Sequence, residues 1–465
     1  MKVLILSGGS GTRLFPISRD KFPKQFLKIF GGESLLQRAV ERAVCLAGSL
    51  DSVVFVSNKD YLYHIKDQVE EILHTFPKHL VLESVKRNTA PATVLGISYM
   101  LERGMLKEDE PVLVMPSDHV VSPIGRFVER VKSSEAIAKE GYIVIFGVKP
   151  TRPETGYGYV EMDGTCVHSG YRVKRFHEKP NLERAKEYIS TGNFFWNSGM
   201  FCFTPKTLFS ELKAYCQDIY SQVEGRSFEQ ILENFHNLPD ISLDYAVMEK
   251  TQRAVVIPLD VEWSDVGCFD SIYEIMEKDT ANNGIYGEVI AVDSERNLII
   301  TTGKPVATIG ISDSIVINTE DIIVVVKSGE SQKVGELYKL IRSKRKELTE
   351  YYTKQEYEPW GVADLLYSGN GLKVKRLSLF SGEKLISQVD EGSREYFVVL
   401  KGDGKVSFGA EEKHVKEGDS VFLTENTQYE VQNLGEGHLE LIQVRFERFL
   451  GERKSVKLDD FCNAE

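Results

Sequence analysis

Over the first 147 positions the apolar and polar residues alternate between short aliphatic runs and longer helical repeats. Val3–Leu6, Val53–Val56, Val112–Met115 and Tyr142–Phe146 are apolar almost without interruption, the pattern of strands buried on both faces of a parallel sheet. Between the first two, Leu35-Leu36, Ala39-Val40 and Ala43-Val44 recur at helical spacing and stop at Gly48. Such alternation predicts a mostly parallel sheet with helices on both faces, whose ligands sit beyond the carboxyl ends of the strands. After 147 the runs become shorter and more polar. From about 280 to 345, Leu298–Thr301, Val306–Ile309, Ile315–Ile317 and Ile322–Val326 stand between tight turns, which predicts a small β-solenoid or sheet ending in a helix over Val334–Leu348. From about 355 the chain is β-rich again, with turns at Lys401-Gly402-Asp403-Gly404 and Lys416-Glu417-Gly418-Asp419.

Length and charge narrow this picture. A chain of 465 residues is too long for one typical domain. With 42% hydrophobic and 27% charged residues it can bury ordinary cores. A net charge of −12 argues against nucleic acid as a partner, because a phosphate backbone calls for a basic face. The six cysteines are scattered with no C-x-x-C pair, as suits single thiols in a reducing compartment. No apolar run approaches the ~20 residues of a membrane span. A cytoplasmic protein without a membrane partner is the expectation.

The chemistry gathers at Ser7–Phe26. Val3–Leu6 opens into Gly8, Gly9 and Gly11, whose bare backbone lets N–H groups approach a ligand closely. Such a loop suits phosphate, and Arg13, Arg19 and Lys24 add cations to it. The third glycine of a dinucleotide fingerprint is missing, and no Walker loop is present. A second acid-bearing loop, Pro116-Ser117-Asp118-His119, follows Val112–Met115. An acid there is a natural Mg²⁺ ligand beside a triphosphate, although a turn or cap aspartate reads the same way locally. Thr89 reads as a helix N-cap with Pro91 in the first turn.

Gly8 to Phe26 resembles, nearly residue for residue, the stretch G-G-x-G-x-R-L-x-P-x-S-R-x-x-x-P-K-Q-F of mannose-1-phosphate guanylyltransferases. Further matches are Arg87-Asn88-Thr89-Ala90-Pro91-Ala92, Glu154-Thr155-Gly156-Tyr157-Gly158-Tyr159, Phe176-His177-Glu178-Lys179-Pro180, Trp196-Asn197-Ser198-Gly199-Met200-Phe201 and Trp263-Ser264-Asp265-Val266-Gly267. The resemblance implies a Rossmann-like nucleotidyltransferase domain with a mixed, mostly parallel sheet over 1–275. A small β-solenoid-like domain over 276–350 and a C-terminal cupin-like β-barrel over 351–465 follow it. It implies GTP and mannose-1-phosphate as substrates, with GDP-mannose as product and Mg²⁺ as cofactor. Nucleotide contacts would come from Gly8, Gly9, Gly11, Thr12, Arg13, Arg87, Asn88 and Ser117, and sugar-phosphate contacts from Gly156, Glu178, Lys179 and Asn197. Arg13 and Lys24 would be catalytic, and Asp118 and Asp265 would hold the metal. The small β-domain shows no chemistry of its own and reads as a packing or oligomerisation module, with a homodimer as one assembly open to it.

The last hundred residues resemble the family's mannose-6-phosphate isomerase domain through Pro359-Trp360-Gly361, Ser381-Gly382-Glu383 and Phe449-Leu450-Gly451-Glu452. That isomerase holds a divalent metal through a Q-x-H-x-x-x-x-E cluster and a later histidine in P-H-R. Gln388 and Glu395 are kept here, but Asp390 replaces the first histidine and Thr427-Gln428-Tyr429 contains no second one. His414 and His438 fall elsewhere and read as turn residues. Isomerase activity is therefore expected to be absent. Rival readings are a pyrophosphorylase for another nucleotide or sugar, an enzyme retaining isomerase activity, and a non-catalytic sugar-nucleotide sensor.

Overall fold

The computed structural model describes residues 1–9, 11–29, 31–350, 355–369 and 371–447. The chain forms two compact units, one through residue 352 and one from 353 onward.

The first unit is built on a nine-stranded sheet in the order β3-β2-β1-β4-β9-β6-β10-β8-β7. Its strands are β1 (Lys2–Ser7), β2 (Val53–Asn58), β3 (Leu80–Glu83), β4 (Val112–Pro116), β6 (Ile143–Val148), β7 (Tyr159–Val167), β8 (Gly170–His177), β9 (Phe194–Phe203) and β10 (Ala254–Leu259). A two-stranded ribbon of β5 (Val120–Ser122) and β11 (Glu262–Ser264) stands beside it. Strands β3, β2, β1 and β4 run parallel, and β9 is antiparallel to both β4 and β6. The uninterrupted apolar run of β1 has a simple cause. Val3 and Ile5 pack on one face against Leu36, Ala39 and Val40 of α1 (Leu35–Ala47), while Leu4 faces Val94 and Leu95 of α3 (Thr89–Glu102) on the other. Both faces are dry, so a polar residue at any of these positions would be buried without partners. Helices α2 (Leu62–Leu73), α4 (Ile124–Lys139) and α5 (Leu182–Thr191) complete the layers used below. Ser34 and Gln37 form a capping box at the start of α1, and Gly48 closes it with φ +79°. Asn181 and Gly192 likewise bound α5.

Residues 284–318 wind as a short parallel solenoid. Strands β12 (Gly284–Tyr286), β14 (Leu298–Thr301) and β16 (Ser314–Asn318) stack in one sheet, and β13 (Val289–Val292) pairs with β15 (Val306–Ile309) in another. Buried Asn283 and Asn297 bond from coil to coil, with Asn297 Nδ2 donating to Asn283 Oδ1 at 3.1 Å. Strand β17 (Ile323–Lys327) closes the sheet antiparallel. The helix that follows runs Val334–Lys344, and a separate turn covers Glu347–Glu350, so the single helix expected over 334–348 is broken at Arg345.

This solenoid belongs to the first unit for a physical reason. Leu298, Ile300, Ile315, Ile317, Val334 and Tyr338 share one core with Leu14, Phe15, Ile17, Leu27 and Ile29 of the glycine-loop segment. Fully buried Arg19 pairs with Asp321 at 2.8 Å and donates to the Leu348 carbonyl. The solenoid is thus the floor on which the segment carrying Arg13 and Lys24 lies.

The second unit is a barrel-like pair of antiparallel sheets. A six-stranded sheet contains β18 (Gln355–Glu358), β19 (Gly361–Gly369), β20 (Leu372–Leu379), β22 (Arg394–Lys401), β25 (Ser420–Leu423) and β27 (Leu439–Phe446). A four-stranded sheet contains β21 (Lys384–Gln388), β23 (Gly404–Phe408), β24 (Glu411–Val415) and β26 (Gln428–Asn433). Strand β22 alternates strictly, with Glu395, Phe397 and Val399 inward. His414 lies within β24 rather than in a turn, and Phe449-Leu450-Gly451-Glu452 falls outside the described residues.

Candidate active site

Parallel pairing of β1 with β4 sets Leu6 beside Pro116, so the two loops beyond them emerge together. The Ser117 N–H donates to the Leu6 carbonyl at 3.0 Å, which locks this junction. Gly8, Gly9, Glu83, Arg87, Asn88, Ser117 and Asp118 then line one cavity of about 480 Å³. A Cβ on Gly9 would stand 3.8 Å from Asp118 Oδ2.

Lys24 ties this cavity to the far end of the domain. It lies on the short turn Lys24–Phe26, is 9% exposed, and sets its Nζ 2.9 Å from Asp118 Oδ2. The same ammonium donates to the Asp265 main-chain oxygen at 2.5 Å. Gly11 makes room for it: φ there is +62°, and a Cβ would come within 2.8 Å of Lys24 Cβ. The Asp265 carboxylate is aimed by two donors, Tyr157 OH at 2.8 Å and the Gly267 N–H at 2.9 Å. Residues 24, 118 and 265, far apart in sequence, meet at one ammonium.

The electrostatics follow from burial and neighbours. Burial raises the Asp118 carboxyl most strongly, but the Lys24 ammonium, His119 and a backbone hydrogen bond together outweigh it and the net shift is downward. Burial pushes the His119 imidazole down to about 4. Its neutral ring accepts from Trp263 Nε1 at 3.3 Å. Burial also lowers Arg42 to about 10, and this guanidinium donates to the His119 carbonyl at 3.0 Å. The Tyr157 phenol is raised by burial and then by Asp265, so it stays a donor.

The sugar-phosphate candidates form a second cluster. Asn197 Nδ2 donates to Asp244 Oδ1 at 2.8 Å, and Asn197 Oδ1 accepts from the Gly199 N–H at 3.0 Å. Lys179 pairs with Glu178 at 2.9 Å. The glycine squeezed between them is Gly158, where a Cβ would lie 2.6 Å from Glu178 Oε2 and 3.2 Å from Asn197 Cβ. The Gly156 N–H instead makes a local turn bond to Glu154 at 3.0 Å. Burial and then Asp244 raise the Glu178 carboxyl.

Other sequence candidates lie differently. Arg13 and Thr12 sit on the turn Thr12–Leu14 and do not line the cavity. Arg13 Nη1 donates to Gln332 Oε1 at 2.8 Å, towards the solenoid. Arg87 lines the cavity while donating to the His236 carbonyl. The N-cap of α3 is Asn88, not Thr89: Asn88 holds φ at +68° and its Oδ1 accepts from the Thr89 N–H at 2.9 Å. The Thr89 hydroxyl is taken by the Leu243 N–H at 2.9 Å, a long-range bond that local capping rules cannot see.

Sequence reasoning missed Glu83, Asp244 and Tyr157. Glu83 ends β3 on the cavity wall, and burial raises it to about 7 against the pull of Lys86. An acid closing an apolar run at a strand's carboxyl end was a readable signal. Asp244 opens a single π-helical turn, Asp244–Met248, a local irregularity frequent at functional sites.

The barrel holds its own charged centre. Glu395 is fully buried and accepts from Arg445 at 2.5 Å, from Gln443 Nε2 at 2.8 Å and from Tyr429 OH at 2.9 Å. Arg445 Nη1 also reaches Asp390 Oδ2 at 3.1 Å. Gln388 is exposed. Among the described residues, no group of three or more His, Cys, Asp or Glu stands together as a metal site. Two carboxylates suffice for Mg²⁺ when phosphate and water complete the shell, the donor set that Asp118 and Asp265 would offer.

A glycine loop, paired acids and a lysine at the strand ends of a mixed sheet describe a nucleotide-handling α/β enzyme. The nucleotidyl transferase family model matches residues 2–282, and the chain belongs to that family. Residues 287–340 match the MannoseP isomerase/GMP-like beta-helix domain and 344–460 the mannose-6-phosphate isomerase C-terminal domain. Full-length relatives include a mannose-1-phosphate guanylyltransferase 2 of Escherichia coli O157:H7, 34% identical over 98% of this chain and 96% of that protein. The alginate biosynthesis protein AlgA of Pseudomonas putida is 35% identical over 98% of this chain and 95% of its own length. A solved structure described as mannose-1-phosphate geranyltransferase of Thermus thermophilus superposes with a TM-score of 0.67 at 32% identity, over 73% of this chain and 99% of that one. Among the described residues no helix is long and apolar enough to cross a membrane.

Proposed function

We propose that the chain transfers a guanylyl group from GTP to α-D-mannose-1-phosphate, forming GDP-mannose and diphosphate with Mg²⁺. The observation that carries this reading is Lys24 bridging Asp118 and Asp265 beside the glycine-lined cavity. A sugar-phosphate oxygen attacks the α-phosphorus in line and diphosphate departs, so no covalent protein intermediate is required. Positioning and charge neutralisation then carry the catalysis. The Gly8, Gly9 and Gly11 amides hold triphosphate oxygens, and Arg13 joins them by releasing Gln332. Arg87, Asn88 and Ser117 face the nucleoside. Glu178 and Asn197 take sugar hydroxyls, Lys179 takes the sugar phosphate, and Gly156 passes its backbone by the ring. Lys24, freed from Asp118, balances charge near the attacked phosphorus. Asp118 and Asp265 would hold Mg²⁺, which would supply screening between the two reacting anions.

The barrel is read as lacking isomerase activity, because Asp390 stands at the first imidazole position and Thr427-Gln428-Tyr429 holds no histidine at the second. Diphosphate release measured over GTP, ATP, UTP and dTTP against mannose-, glucose- and N-acetylglucosamine-1-phosphate tests the transferase reading. GTP with mannose-1-phosphate is expected to lead by at least an order of magnitude. Preference for another pair would refute the substrate assignment, and no release from any pair would favour a sensor.

A further inference from the structure

The barrel's charged centre asks for an explanation that its fold alone does not provide. Glu395 is a carboxylate with no exposed surface, in a wall of Phe397, Val399, Leu423 and Leu441. Burying a carboxylate without a counter-charge is costly, so some cation belongs beside it. In the isomerases that this domain resembles, the counter-charge is a divalent metal held by glutamine, glutamate and two histidines. Here neither position keeps an imidazole: Asp390 stands at the first, Thr427-Gln428-Tyr429 offers only oxygen and amide donors at the second, and Gln388 is exposed. Such a donor set fits a transition metal poorly.

The geometry supplies the cation from within the chain. Arg445, on β27 beside β22, sets two guanidinium nitrogens 2.5 Å from Glu395 Oε1 and a third 3.1 Å from Asp390 Oδ2. Glu395 Oε2 is saturated separately by Gln443 and Tyr429. Tyr429, from the stretch that lacks the second histidine, thus donates to the former ligand, and Asp390, which replaces the first, accepts from the guanidinium. We infer that Arg445 is the barrel's resident cation: its guanidinium occupies the place between Glu395 and Asp390 that a metal would take, and makes the barrel metal-independent. This deepens the reading of the barrel as isomerase-inactive and rests on it. A fixed cation cannot exchange ligands with a sugar, so the centre acts as a bolt between β22 and β27.

Two experiments on the full chain test it. The first is a double-mutant cycle on thermal unfolding of the barrel, using Glu395→Gln, Arg445→Gln and the pair. Arg445→Gln should lose roughly 10 °C, since it strands the buried Glu395 charge, Glu395→Gln should lose less, and the pair should recover most of the Arg445→Gln loss. Additive losses, or an Arg445→Gln variant as stable as the parent, overturn the inference. The second restores imidazoles with Asp390→His/Tyr429→His, with and without Arg445→Gln, and follows Co²⁺ ligand-field absorption above the parent protein. Cobalt should bind only when Arg445 has been removed. Equal binding with Arg445 present, or binding in neither variant, overturns it. Isomerase turnover by the parent chain would instead sink the broader reading, which keeps the two failures distinguishable.

Discussion

A basic side chain bridges two acidic residues in each unit, yet the two arrangements differ in what lies beside them. Lys24 touches Asp118 and a main-chain oxygen of Asp265 at the edge of a cavity that Gly8, Gly9 and Asp118 help to line. Arg445 is partly exposed, but its partner Glu395 is fully buried and has every lone-pair direction served from within. An ammonium is a single point of charge on a flexible stem, and can move from a carboxylate to an incoming phosphate. A planar guanidinium held by several bonds loses much geometry if it moves. The difference teaches how one motif serves two ends: an ammonium beside a cavity is poised for a ligand, and a guanidinium tied by several bonds to a saturated buried carboxylate is structure.

The sharpest way to break the comparison is to remove one acid from each pair. Asp118→Ala should lower guanylyl transfer about 10³-fold, close to ~4 kcal/mol of barrier, while circular dichroism shows a folded chain. Normal turnover in that variant would refute the role. Glu395→Ala should do the reverse. It removes the buried acceptor shared by Arg445, Gln443 and Tyr429 and should cost the barrel ~3–5 kcal/mol in denaturant titrations, with transfer activity nearly unchanged.

Glu83 sharpens the contrast through pH. Its carboxyl is raised from the ordinary 4.5 to about 7 in the folded chain, so folding favours the protonated form. That contribution is complete below pH 4.5 and is lost as pH rises through 7. Unfolding followed from pH 4.5 to 8 should therefore show a decline of up to ~3 kcal/mol that Glu83→Gln abolishes. An unchanged slope in the variant would remove Glu83 from the account. The smallest expected effect belongs to Tyr157→Phe, which takes one donor from Asp265. About a tenfold fall in kcat with little change in unfolding midpoint should result. A fall in stability with unchanged kcat would make Tyr157 a packing residue instead.

How much of this was legible in the chain depends on distance along it. The buried run Val3–Leu6, the helix from Leu35 to Gly48 and the glycine loop carry their signals within a dozen residues, and each lies where its pattern put it. The solenoid strands were readable for the same reason, because each turn repeats a short aliphatic run. What stayed hidden was long-range. Nothing near Thr89 announces that Leu243 takes its hydroxyl, and nothing near Arg13 announces Gln332. The shared core of Leu14–Ile29 with Leu298–Tyr338 is likewise invisible to periodicity, although it makes the solenoid a support for the glycine-loop segment. In the barrel, the loss of two histidines could be read directly. The arginine filling their place comes from a strand some fifty residues on, and only the register of β22 against β27 reveals it.

The most direct test measures both chemistries in one preparation of the full chain supplied with Mg²⁺ and then with Mn²⁺, Co²⁺ or Zn²⁺. GDP-mannose should form from GTP and mannose-1-phosphate at an ordinary enzymatic rate, while fructose-6-phosphate and mannose-6-phosphate stay unexchanged under every metal. Isomerisation at a comparable rate, or no GDP-mannose at all, would contradict the assignment of a poised cation to one unit and a fixed cation to the other.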